Sequence, residues 1–295
     1  MPFTLSHAMA VLPGLRQDRT GRVRGRGALV ASAMVAGSFA PDVPYFADSL
    51  VHGVFGYGQV THGPLGVAVV DPLLAAGLAG GWYVLRGPLA ALLPEPWQGR
   101  AGAVLGYGSG EPPSLRTAGW FWASAAVGAA THVVWDAFTH PGRWGVRLLP
   151  VLDQEAYGMP LHKLAQYGSS AVGLAVVARY AVRAVRAAPV DAPRPRRMPR
   201  LSRRARRLAV AGLGAAAGAG ALVRCWRWYD AHGDGSFAAM LPSALFGAGA
   251  GLPLAAVAYA VVVHATGGGQ ETGQWAADSQ SGPTPTETSS GASNG

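Results

Sequence analysis

The chain has 295 residues, half of them hydrophobic and only 13% charged, against roughly 25% charged in ordinary soluble domains. That deficit excludes a typical globular surface, and the 42 glycines suit a lipid-embedded bundle, where small residues let helix backbones approach closely. The net charge of +9 rests on Arg blocks set beside apolar runs with no interleaved aromatic stripe, which points to membrane topology rather than to nucleic-acid binding.

The opening, Met1 to Leu15, is apolar but too short to span, and no basic residue precedes it. It does not read as a cleavable signal peptide, so insertion through uncleaved helices is expected. Six apolar segments follow, at 27–46, 64–85, 117–138, 163–183, 207–225 and 237–264, each near the roughly 20 residues that a span needs. Pro41, Asp42 and Pro44 interrupt the first, and Asp71-Pro72 predicts a kink in the second. Eighteen of the 24 basic residues lie before the first segment, between the second and third, and between the fourth and fifth. By the positive-inside rule, this places both termini in the cytoplasm, and 41–63, 139–162 and 226–236 outside. The expected fold is all-α, an integral membrane bundle of about six helices in the cytoplasmic membrane.

Residues 187–206 mix Pro and Arg, as in Pro193-Arg194-Pro195-Arg196-Arg197, and read as a stiff basic linker able to touch anionic lipid headgroups. It divides a chemically rich membrane domain, 1–186, from a C-terminal helix pair, 207–266. The tail, 267–295, is Gly, Ser, Thr, Pro and Gln with almost no apolar content, a composition expected to be disordered.

With one cysteine, Cys225, no internal disulfide or thiolate cage is available, so any metal site must use His and carboxylate. The leading constellation runs from Thr131 to His140. His132 and Asp136 are four apart and share one helix face; together they could hold a divalent cation or, alternatively, staple the bundle through a His–Asp hydrogen bond. His140 lies a further turn on and could join only if the helix ends first, which Pro141-Gly142 favours. Asp42 and His62 fall at the same membrane level by the charge count. These four groups suit zinc or a similar ion, and ionisable groups within spans tend to mark sites. His7 could reach them only from a re-entrant stretch.

Other polar residues carry plainer readings. Asp48 and His52, four apart in a Gly-rich outer loop, read as a solvated pair. Asp71 could orient a ligand histidine or bond a neighbouring helix. Gln166, Ser169 and Ser170 follow His162 at helical spacing and read as packing groups. Arg143-Trp144 reads as an interfacial anchor, and His232 and His264 receive no role. No nucleophile elbow, phosphate loop or dinucleotide fingerprint appears.

Met1-Pro2-Phe3-Thr4-Leu5-Ser6-His7-Ala8, then Gly37 to Phe46, Thr131 to Pro141, and Lys163 to Ser170 together resemble the bacterial domain-of-unknown-function family 4184 over about residues 1–186. That family is in turn distantly similar to membrane-bound proteins predicted to be metal-dependent hydrolases. By position, the resemblance picks out His7, Asp42, His62, His132, Asp136 and His140. The chain departs from the pattern at Gly63, where Ser or Thr is expected. It also departs at His162 and Tyr167, which stand where Tyr and His are expected.

Three functions are compatible with these features. The first is a metal-dependent hydrolase acting on a lipid or cell-envelope substrate at the outer interface. It would use a zinc ion on His132, Asp136, His62, Asp42 and His7, with Asp42 and His140 as catalytic groups. The second is a structural or lipid-binding membrane protein. The third is a small ion- or proton-coupled transporter.

Overall fold

The computed structural model describes residues 3–106, 114–233 and 237–267. The expected disorder of the tail concerns residues beyond these, apart from Gly267 itself.

Thr4–His7 forms a 3-10 turn that runs into α1 (Ala8–Val11), followed by a hairpin of β1 (Leu15–Gln17) and β2 (Val23–Gly25). Then come α2 (Ala31–Gly37), α3 (Val43–Ala47), α4 (Gly58–Thr61), α5 (Asp71–Ala90) and α6 (Glu95–Val104). The second half holds α7 (Leu115–Thr139), α8 (Trp144–Leu148), a short β3–β4 hairpin (Glu155–Ala156, Met159–Pro160), α9 (Leu161–Ala187), α10 (Arg203–His232) and α11 (Phe237–Gly267).

Among the described residues, three stretches are long and apolar enough to cross a membrane: Gly66–Ala90, Arg203–Ala231 and Met240–Thr266. α7 and α9 have 25 and 27 residues, long enough to span at about 1.5 Å per residue, but they carry more polar side chains. The segment expected over 27–46 is not one helix. It breaks after Gly37 into a 3-10 turn at Ala40–Asp42 and the five residues of α3, with Pro41 and Pro44 each opening a new short element. A seven-residue α2 covers only about 10 Å, so several short elements in succession, rather than one helix, carry the chain from the β1–β2 hairpin to Asp42.

The interruption expected at Asp71-Pro72 is real. Gly66–Val70 is a π-helical turn that leads into α5. Pro72 has no N–H to give the Ala68 carbonyl one helical turn back, and Trp122 Nε1 on α7 donates to that carbonyl instead, at 2.9 Å. The loss created by one residue thus becomes a bond between two long helices. α7 opens with a reciprocal Ser114–Thr117 capping box.

Small residues bring α2 against α7. A Cβ on Gly128 would lie 2.2 Å from the Met34 carbonyl oxygen, and one on Gly37 would lie 2.1 Å from that of Ala125. Ala33, Ala36, Ala75 and Ala125 fill the core between α2, α5 and α7.

The Pro/Arg-rich stretch after α9 is laid on α6. Met198 is buried with Ala90, Ala91 and Ala101, and Arg194 Nε donates to Gln98 Oε1 at 2.6 Å. α10 and α11 are joined to the first half. Tyr259 Oη donates to the Pro88 carbonyl, Phe246 packs on Tyr45 and Phe46, and Arg224 pairs with Asp48 at 3.0 Å.

The described N-terminal residues sit beside Asp42 and Tyr167. α11 instead runs away from Phe46 towards Pro88. The two ends of the described chain therefore lie at opposite ends of the bundle.

Candidate metal centre

α7 places His132 and Asp136 on one face, one turn apart. The turn after α2 brings Asp42, and the end of α4 brings His62. All four side chains are buried, and one donor atom of each lies within 4.8 Å of every other. These residues could hold a metal ion.

The two imidazoles are oriented by backbone carbonyls. His62 Nδ1 lies 2.8 Å from the Gly58 carbonyl oxygen, and His132 Nδ1 lies 2.8 Å from that of Ser38. A carbonyl only accepts, so each Nδ1 carries a proton, and in the neutral ring each Nε2 presents its lone pair. Such second contacts fix the tautomer of metal-binding histidines. Both Nε2 atoms face carboxylate oxygens. His62 Nε2 is 3.4 Å from Asp136 Oδ2 and 3.7 Å from Asp42 Oδ1; His132 Nε2 is 3.5 Å from each of these oxygens.

These distances test the fit. A charge-assisted hydrogen bond would close to about 2.7–2.9 Å. Two donors each about 2.1 Å from one tetrahedral ion stand about 3.4 Å apart. The spacings observed match the second geometry, and two imidazoles with two carboxylates form a donor set suited to a divalent transition metal.

The other predicted residues divide. His7 is fully buried and stacks on His132, with ring centroids 3.8 Å apart; its Nε2 lies 3.4 Å from Asp136 Oδ1. The short N-terminal helices thus bring His7 to the group. α7 ends at Thr139, and His140 is extended ahead of Pro141. Its Nδ1 comes 3.6 Å from Asp136 Oδ2, while its Nε2 contacts Gln166 Nε2 at 3.1 Å. His140 therefore sits at the edge of the group.

His162 is held outside the group by the Leu152 carbonyl and Asp153. Asp48 turns to Arg224 and to the Gly53 and Phe55 backbone N–H groups rather than to His52. Asp71 is buried outside the group, with neither carboxylate oxygen hydrogen-bonded among the described residues. Ser169 accepts from Trp135 Nε1, a packing contact as expected.

Sequence reasoning missed the supporting groups. The Ser38 and Gly58 carbonyls are backbone atoms with no side-chain signature. Thr4 donates to Asp42 Oδ2, and only its place in the opening motif hinted at a role. Gln166, read as packing, contacts His140.

A cavity of about 570 Å³ opens on His62, Asp136 and His140. Tyr45, Phe55 and Phe246 form its aromatic wall, and Arg143, Lys163 and Tyr167 line it as well.

The class so defined is an all-α protein with apolar helices long enough for a membrane and a buried Asp-His-His-Asp group that could hold a metal. The chain belongs to the DUF4184 family, a domain of unknown function whose model matches residues 1–261. The match runs past the Arg-rich stretch and includes most of α11. No curated protein and no solved structure matches the chain.

Proposed function

We propose that this is a multi-pass protein of the cytoplasmic membrane that hydrolyses an ester or phosphoester of a lipid or cell-envelope substrate. Its metal, zinc by donor chemistry, would be held by Asp42, His62, His132 and Asp136. The observation that carries this reading is the spacing of those donors, set for a shared ion rather than for hydrogen bonds, with each imidazole locked by a carbonyl.

The ion's contribution when bound is Lewis acidity, which polarises a substrate oxygen and acidifies water. The chain supplies the rest. His140 lines the cavity and is the better-placed proton acceptor, because Asp42 is fully buried and already accepts from Thr4. Arg143 and Lys163 offer positive charge to an anionic substrate, and the aromatic wall gives an acyl chain or ring an apolar surface.

The Arg-rich regions support an outward-facing site. The β1–β2 hairpin touches the far end of α9 through Gln17 and the Ala184 carbonyl, and Arg194 lies on α6. Both are remote from the mouth of the cavity, as the positive-inside rule requires if that mouth faces out.

The test begins with full-length protein purified in detergent without chelator or metal-affinity tag. Metal per chain is measured by mass spectrometry for the wild type, His132→Ala and Asp136→Ala. At least one tightly held ion is expected in the wild type and none in the folded variants. Zinc-loaded protein is then given a chromogenic phosphodiester and a carboxylic ester in mixed micelles. Absence of bound metal after zinc or manganese addition and dialysis overturns the proposal. Bound metal without hydrolysis of either ester class favours ion transport, to be read as flux in proteoliposomes.

A further inference from the structure

The two oxygens of Asp136 face different partners. Oδ2 is directed at His62 and His132; Oδ1 lies 3.4 Å from His7 Nε2 and has no hydrogen-bond partner among the described residues. His7 is fully buried, and neither of its ring nitrogens is hydrogen-bonded among those residues. Buried polar atoms left unsatisfied each cost about 1–3 kcal/mol, so a buried imidazole with two of them calls for a partner that the described residues do not supply. The His7–Asp136 separation exceeds a good hydrogen bond and again equals the spacing of two donors around one ion.

That ion is not the one held by the four-residue group. The His7 and His132 rings are stacked at 3.8 Å with their planes 20° apart. A nitrogen lone pair lies in its ring plane, and planes so related stay apart within the roughly 2.1 Å reach of a metal–nitrogen bond. His7 and His132 therefore address two points in separate layers, each facing a different oxygen of the same carboxylate. Paired cations in hydrolytic centres stand about 3.5–4 Å apart, which is the thickness of this stack.

We propose a second divalent-cation position between His7 Nε2 and Asp136 Oδ1, with Asp136 bridging the two ions. The inference rests on the metal-centre reading given above. With two protein donors against four, the second ion is the weaker and more exchangeable one, its remaining positions open to water or to substrate oxygens entering from the cavity.

The experiment is equilibrium dialysis of the full-length, detergent-solubilised protein against Mn²⁺, with metal per chain measured by mass spectrometry and electron paramagnetic resonance recorded on the same samples. The wild type is expected to saturate at two ions, one surviving exhaustive dialysis and one lost, with a spin-coupled signal when both are present. His7→Gln should keep the retained ion, lose the exchangeable one and show an uncoupled signal. A wild type that saturates at one ion overturns the second position while leaving the first intact. Loss of the retained ion in folded His7→Gln also overturns it, because His7 would then belong to the first ion. No ion in the wild type sinks both readings. The wild-type stoichiometry decides the matter even if the variant does not fold.

Discussion

Gly128 precedes His132 by one helical turn, so a methyl group added there tests whether α2–α7 packing sets the metal site. The new Cβ would stand 2.2 Å from the Met34 carbonyl oxygen and 2.8 Å from Ser38 N. Relief to an ordinary contact near 3.5 Å requires α2 to move about 1 Å away from α7. Overpacking of this kind costs about 1–3 kcal/mol. The same shift carries the Ser38 carbonyl away from His132 Nδ1, now 2.8 Å distant, and moves Asp42 just beyond it. Loss of such a supporting contact lowers metal affinity about 10–100-fold, or about 1.4–2.7 kcal/mol. Gly119 is the control: it lies on the same helix, and a Cβ there meets nothing within 4 Å. Gly119→Ala should leave affinity unchanged and raise stability by up to about 1 kcal/mol. Affinity is read by competition with a chromogenic zinc chelator, and folding by tryptophan fluorescence. Gly128→Ala protein that folds and binds zinc within about twofold of the wild type would refute the link between packing and site.

Metal affinity should fall as pH is lowered, because protons compete with the ion for the imidazole nitrogens; isothermal titration at three pH values reads the slope, and a flat profile argues against histidine ligands. Arg143→Gln should raise KM for an anionic ester several-fold while leaving metal content unchanged, as steady-state kinetics and mass spectrometry would show. Asp48→Ala removes the Arg224 ion pair and acceptors for two backbone N–H groups. It should cost about 1–2 kcal/mol in chemical denaturation, with metal stoichiometry intact. Met198→Ala should cost about 2–5 kcal/mol and open the Arg-rich stretch to trypsin; unchanged proteolysis would show that burial on α6 does not hold it.

Long helices were the most legible part of the sequence. The apolar runs at 64–85, 117–138, 163–183, 207–225 and 237–264 each became a helix, because continuous apolar length leaves few other ways to satisfy backbone groups in lipid. The run at 27–46 was legible in part: Pro41 and Pro44 marked its interruption, as expected, whereas the break after Gly37 has no such marker. Within the site, His132 and Asp136 followed from helix periodicity, and Asp42 and His62 from the level at which the Arg count set them. His7 was harder, because the depth reached by a short stretch depends on what it packs against. The Ser38 and Gly58 carbonyls were invisible, since any residue could supply them.

The four residues of the buried group come from positions 42, 62, 132 and 136, and an ion shared among them would act as a cross-link in a chain whose one cysteine allows no internal disulfide. It would close loops of roughly 20 and 70 residues, removing chain entropy from the unfolded state much as a disulfide does. Assembly would then have an order. The knot cannot be tied until α7 has been made and inserted, so the first sixty residues must wait, unfastened, for a helix that is synthesised long after them.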